Sequence, residues 1–96
     1  MSDNRDAYVQ KMKAKLDEWD AEIDRLEAVA RQHKAEAQQT YQEKVAALKE
    51  QRDSAREELD NVRQAGESAW QDLKGGFENA AKSLGEAIQS AKSKFS

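Results

Sequence analysis

His33 is the single histidine of the chain, and cysteine is absent. A histidine working as general acid or base needs a nucleophile or a second acid–base group converging on it. The acidic neighbour one helical turn away is Glu36. Carboxylate-bridged dimetal sites in helical bundles use the opposite order, Glu-x-x-His, and repeat it on a second helix. Here the order is His-x-x-Glu and it occurs once. His33 therefore reads as a polar residue at an apolar-seam position that helps fix register. A pH-sensitive interface is the alternative, because imidazole changes charge near neutrality.

Asp17, Glu18, Asp20, Glu22, Asp24 and Glu27 form an acidic run in which Arg25 is the one base. It lacks the glycine and the oxygen-ligand spacing of an EF-hand loop. It reads instead as a solvated face, or as a surface that meets a basic segment of another helix. No Ser-His-Asp set, glycine-rich phosphate loop or zinc spacing occurs. Without cysteine there is no disulfide, thiolate metal site or cysteine nucleophile. The expectation is a protein with no catalytic residues, no metal and no cofactor.

The elements that carry these residues are legible in composition and spacing. Ala, Glu, Lys, Leu and Arg make up 49 of the 96 residues, in the range of coiled coils and long helices. Leu, Ile, Val and Phe number only 14, too few to wall an enclosed pocket in one small domain spanning 1–96. Sixteen basic residues against nineteen acidic ones leave a net charge of −3, so no concentrated cationic surface is available for nucleic acid. The N-terminal Met-Ser-Asp-Asn-Arg-Asp has no apolar signal core, and no stretch approaches the ~20 apolar residues that span a bilayer. A soluble, cytoplasmic protein is expected.

High charge with few large hydrophobes also fits disorder, but periodicity argues otherwise. Val9, Met12, Leu16, Trp19, Ile23, Leu26 and Ala30 recur in steps of three and four, an a/d heptad seam. The seam thins through His33, Ala37 and Tyr41, with a four-residue stutter, and recovers at Val45, Leu48, Ala55, Leu59 and Val62. No glycine or proline interrupts residues 6–65. The expected fold is all-α: one long amphipathic coiled-coil helix over about 6–65, then a shorter amphipathic C-terminal helix over about 68–95. The alternative is a compact three-helix bundle with a further turn near Gln38-Gln39-Thr40, where Thr40 and Glu43 fit a capping box. The same pattern recurs at Ser54 and Glu57, inside an evident helix.

Gly66 marks the end of the long helix, and Ser68 is placed to cap the next. Trp70, Leu73, Phe77, Leu84, Ile88 and Phe95 then recur at helical spacing, with Ala80, Ala81 and Ala91 in the same stripe. This is a candidate docking stripe. Gly75, Gly76 and Gly85 weaken the helix that bears it, each by up to ~1 kcal/mol relative to alanine.

A long seam that the shorter helix cannot cover predicts self-association through Val9, Met12, Leu16, Trp19, Ile23, Leu26, Tyr41, Val45, Leu48, Leu59 and Val62. A dimer is favoured, and antiparallel pairing is preferred because it sets the acidic run at 17–27 against Lys44, Lys49, Arg52, Arg56 and Arg63. A protein partner is expected as well. Membrane-surface binding through the C-terminal helix is the competing reading, weakened because the chain from Gly66 onward has four acids and four bases whereas interfacial helices are rich in cations.

Two segments, YVQKMKAKLDEWDAEIDRLEAVA at 8–30 and AWQDLKGGFENAAKSLGEAIQSAKSKF at 69–95, resemble a family of small bacterial coiled-coil proteins, some of them associated with stress responses. The most distinctive part is the Leu-Asp-Glu-Trp-Asp-Ala-Glu-Ile core around Trp19. The resemblance implies a helical fold and a bacterial, stress-related setting, and no defined biochemical activity.

Overall fold

The structure is a computed structural model that describes the backbone of residues 3–66 and 68–95 and the side chains of 4–66 and 68–94. It consists of three helices: α1 (Asp3–Arg31), α2 (Ala35–Gln64) and α3 (Ala69–Phe95). They lie side by side, up, down and up, in a rod of 53 × 17 × 17 Å.

The expectation of one helix over 6–65 is corrected. The chain reverses at Gln32, His33 and Lys34, and α1 and α2 close as an antiparallel pair. The three-helix alternative describes the architecture, but Thr40 lies in the second turn of α2 rather than at a helix start. Nothing at 32–34 breaks a helix by type; there is no glycine, no proline and no positive φ. Gln32 N–H donates to the Val29 carbonyl (3.0 Å) and His33 N–H to that of Ala30 (3.3 Å), the tightened bonds of a final helical turn. Lys34 then turns extended at φ −61°, ψ 154°, and contributes no side-chain cap. The Gln38 side-chain amide reaches back 2.9 Å to the Arg31 carbonyl, one of the acceptors left over at the end of α1.

Closure places both halves of the seam in one core. Val9, Leu16, Ile23, Leu26 and Ala30 of α1 meet Val45, Leu48, Ala55, Leu59 and Val62 of α2. Trp70, Phe77, Ala81, Leu84, Ile88 and Ala91 of α3 complete the cluster. Burial of each large side chain contributes about 1.5–3 kcal/mol, so a solvated seam was not a stable option for a folded chain. Among the described residues no polar or charged residue is buried.

The link from α2 to α3 also departs from expectation. Gly66 does not adopt the left-handed conformation of a glycine-terminated helix. Ala65 leaves α2 extended (φ −75°, ψ 152°), its N–H on the Val62 carbonyl, and the Gly66 carbonyl accepts from Trp70 N–H at 3.1 Å. Arg5 donates to the Ala65 carbonyl, tying the start of α1 to this link.

The glycines of α3 are not equivalent. A Cβ at Gly85 would lie 3.1 Å from Cζ2 of Trp19, so the missing side chain seats the indole. A Cβ at Gly75 would meet nothing. Gly75→Ala should therefore stabilise the protein by about 0.5–1 kcal/mol, the helix-propensity difference alone. Gly85→Ala should recover less than Gly75→Ala, because the indole must shift, and should change Trp19 emission. Urea unfolding and tryptophan fluorescence of the two variants check this; equal gains with unchanged emission would show the seat to be unimportant.

Candidate functional site

The charged side chains on facing helices form the most ordered polar arrangement in the bundle. Arg52 of α2 donates to Asp20 of α1 at 2.6 Å and to Asp53 on its own helix. Arg56 also reaches Asp20, at 3.1 Å, and lies 3.9 Å from Asp17. Nearer the α1–α2 reversal, Lys49 bonds Glu27 at 2.7 Å. On the other flank Lys92 of α3 pairs with Glu22 at 3.3 Å. The acidic run thus does meet the basic Lys44–Arg63 segment in the antiparallel sense expected, but within a single chain. In the like-charged pairs Glu18/Glu22 and Asp20/Asp24, unfavourable on an isolated helix, one member of each is met from another helix, Glu22 by Lys92 of α3 and Asp20 by Arg52 and Arg56 of α2.

These contacts shift the carboxylates. At Asp20 partial desolvation works against ionisation, but the Arg52 hydrogen bond, with the charges of Arg52 and Arg56, outweighs it and holds the carboxyl below its ordinary range. At Glu27 the Lys49 hydrogen bond prevails over partial desolvation, aided by the charges of Lys49 and Arg31, with the same direction of shift.

A second cluster lies at the end of the bundle where α1 begins. Tyr8 packs on Trp70 (ring centroids 5.8 Å apart) and edge-on to Phe77 (6.2 Å). Lys74 sits 5.3 Å over the Tyr8 ring and 5.9 Å over Trp70, within cation–π range. The Tyr8 hydroxyl donates to Glu78 at 3.2 Å. Burial, followed by the charge and hydrogen bond of Glu78, pushes its phenol up to about 12. Tyr8 escaped the sequence reading. The signal available was its place one residue before the seam position Val9, on the flank that α3 covers.

His33 lies in the α1–α2 turn, its ring 4.4 Å from that of Tyr41, whose hydroxyl reaches the Lys94 carbonyl at 3.4 Å. It is a turn residue and not a position on a continuous helical seam. Of the other expected seam residues, Val9, Leu16, Ile23, Leu26, Val45, Leu48, Leu59 and Val62 are buried, while Met12, Trp19 and Tyr41 pack half-buried at the margin. The docking stripe divides. Trp70, Phe77, Leu84 and Ile88 are core, with Phe77 only 1% exposed. Leu73 points outward, 38% exposed. The side chain of Phe95 lies outside the described residues.

Open grooves run along the surface of the bundle. One of about 240 Å³ runs between α1 and α2 over Val9, Leu16 and Leu59, rimmed by Lys13, Asp17, Arg56, Asp60 and Arg63. Another, of about 370 Å³, lies between α1 and α3 beside Trp19, with Lys15 5.4 Å over the indole. Among the described residues no group of three or more His, Cys, Asp or Glu side chains is placed to hold a metal ion, and no helix is long and apolar enough to cross a membrane. No protein-family profile, curated protein or solved structure matches the chain.

The lowered carboxylates carry a sign. Because folding depresses their proton affinity, the stability they contribute is complete above the unfolded carboxylate range near pH 4 and is lost as pH falls through the lower folded values. Asp20→Asn should cost about 1 kcal/mol at neutral pH, the upper end for partly exposed pairs, and should flatten the stability profile between about pH 5 and about pH 2. Chemical denaturation across that range measures both effects. A profile as steep as that of the parent chain would remove Asp20 from the account.

Proposed function

We propose that the protein is a non-catalytic helical module that acts through protein–protein interaction and self-association. The observation that carries this reading is how its reactive side chains are used. Asp17, Asp20, Glu22 and Glu27 of α1 are engaged by Lys49, Arg52, Arg56 and Lys92 of the facing helices beside an apolar core, and bridging groups lie on the grooves, Asp17 and Arg56 at one and Glu22 and Lys92 at the other. The bacterial, stress-related setting comes from the resemblance of the 8–30 and 69–95 segments, and a cytoplasmic location goes with it.

The face offered to a partner is the outer side of α3. Leu73 is the large apolar side chain most exposed among the described residues, and it is flanked at one-turn spacing by exposed Ala69 and Gly76. A partner helix can approach such a surface closely and cover the leucine. The stripe residue Phe77 is not available for this purpose, since its truncation would open the core at a cost of about 3–5 kcal/mol.

Lipid-surface binding through α3 is the second reading. Lys92 and Lys94 in the last turn of α3 supply cations for an anionic headgroup layer. That reading requires Trp70, Phe77, Leu84 and Ile88 to leave the core. Leu73→Asp should reduce capture of a native partner at least about tenfold, equivalent to ~1.4 kcal/mol, without lowering the thermal unfolding midpoint. Flotation of the full chain with anionic liposomes, unaffected by Leu73→Asp, would instead favour the lipid surface.

A further inference from the structure

The α1–α2 turn is built from residues that also suit a helix. At Lys34 φ is already helical and only ψ is extended. Gln32 and His33 still bond back to Val29 and Ala30. The seam spacing continues across the turn through Ala30, His33, Ala37 and Tyr41. Without a side-chain cap at Lys34, the N–H groups of Ala35, Glu36 and Ala37 have no such partner at the start of α2. In a continuous helix they would bond the carbonyls of Arg31, Gln32 and His33. Two contacts hold the turn closed: the Gln38 amide on the Arg31 carbonyl, and the His33 ring against Tyr41.

From these observations we propose that the turn is a latch, and that two copies of the chain exchange α1. In the open form α1 and α2 run as one helix over residues 3–64, and α1 of each copy lies on α2 and α3 of the other. Short hinge loops between packed elements invite exchange of this kind, because every interface outside the hinge is reproduced. The pairs Asp20–Arg52 and Glu27–Lys49 re-form between copies in the same antiparallel sense. Their sequence midpoints fall at Glu36 and Gln38, so the two-fold axis passes close to Ala37, a small residue that lets the helices cross. The inference rests on the self-association proposed above and gives it a geometry. The occupant is a second copy because no other sequence is guaranteed to offer the same seam and charge register.

The test is to refold the full chain from urea at low and at high concentration and to separate the products by size-exclusion chromatography. Small-angle scattering then measures each species. The monomer should show the 53 Å length of the bundle, and the exchanged dimer should approach the ~90 Å of a continuous helix. Once separated, the two should interconvert slowly, since α1 must leave its core. Lys34→Pro fits the closed turn, where φ is −61°, and would break the continuous helix; it should abolish the dimer and spare the monomer. Insertion of Gly-Gly between His33 and Lys34 should do the same if proline disturbs His33. Gln38→Ala should raise the dimer fraction several-fold at fixed concentration. A dimer that survives both hinge variants would leave self-association standing and overturn the exchange. A monomer at every concentration, in the parent chain and in Gln38→Ala, would overturn both.

Discussion

The structure depends on one constraint, the need to cover the apolar row on α1. Val9, Met12, Leu16, Trp19, Ile23 and Leu26 stand at three- and four-residue steps on a helix that is otherwise charged, and no helix of this composition is stable with such a row in water. Reversal at residues 32–34 brings the matching row of α2 over it. That closure creates a groove along the pair, and α3 fills it with Phe77, Leu84 and Ile88, among the most completely buried side chains of the protein. Apolar burial supplies the free energy, while ionic pairs restrict the register. Asp20 bound by Arg52 and Arg56, and Glu27 bound by Lys49, fix how far α1 slides along α2.

The third helix is held by different means at its two ends. Near its start, Trp70 and Lys74 pack on Tyr8, so an aromatic cluster joins the first turns of α1 and α3. Further along, Gly85 admits the Trp19 indole to the α1–α3 interface, and Lys92 bonds Glu22. Between them, Gly75 and Gly76 are exposed, and a Cβ would meet open space at the first and only the end of the Glu58 side chain at the second. These two glycines serve no close packing and weaken the second turn of α3. Leu73, the exposed apolar side chain, lies beside them. The part of α3 with the least intrinsic helical stability is therefore the part nearest the proposed docking face.

Much of the candidate site was legible as residue types and little of it as location. The acidic run and the basic segment were recognisable as complementary, since their signs and the antiparallel order follow from the sequence. The aromatic cluster at Tyr8 was not, because Tyr8 is off the seam and its partners Trp70 and Phe77 lie more than sixty residues away. Leu73 and Phe77 shared one stripe by spacing, yet one is exposed and the other is core. Four residues on a helix differ by about 40° in direction, and only the position of the neighbouring helices decides which side of that arc is covered.

By itself the sequence determined that the chain is helical, which residues prefer apolar surroundings, and that a helix ends close to Gly66. These are local properties, set by periodicity, propensity and the absence of breakers over 6–65. It could not determine where the first long stretch reverses. Gln32, His33 and Lys34 include no glycine or proline, so residue type does not mark the turn there. The choice is made by contacts between residues far apart in the chain, Asp20 with Arg52 and Glu27 with Lys49 above an apolar core. Tertiary structure alone decided which bases meet the acidic run, because the reversal at 32–34 sets Asp20 opposite Arg52 and Arg56 and Glu27 opposite Lys49.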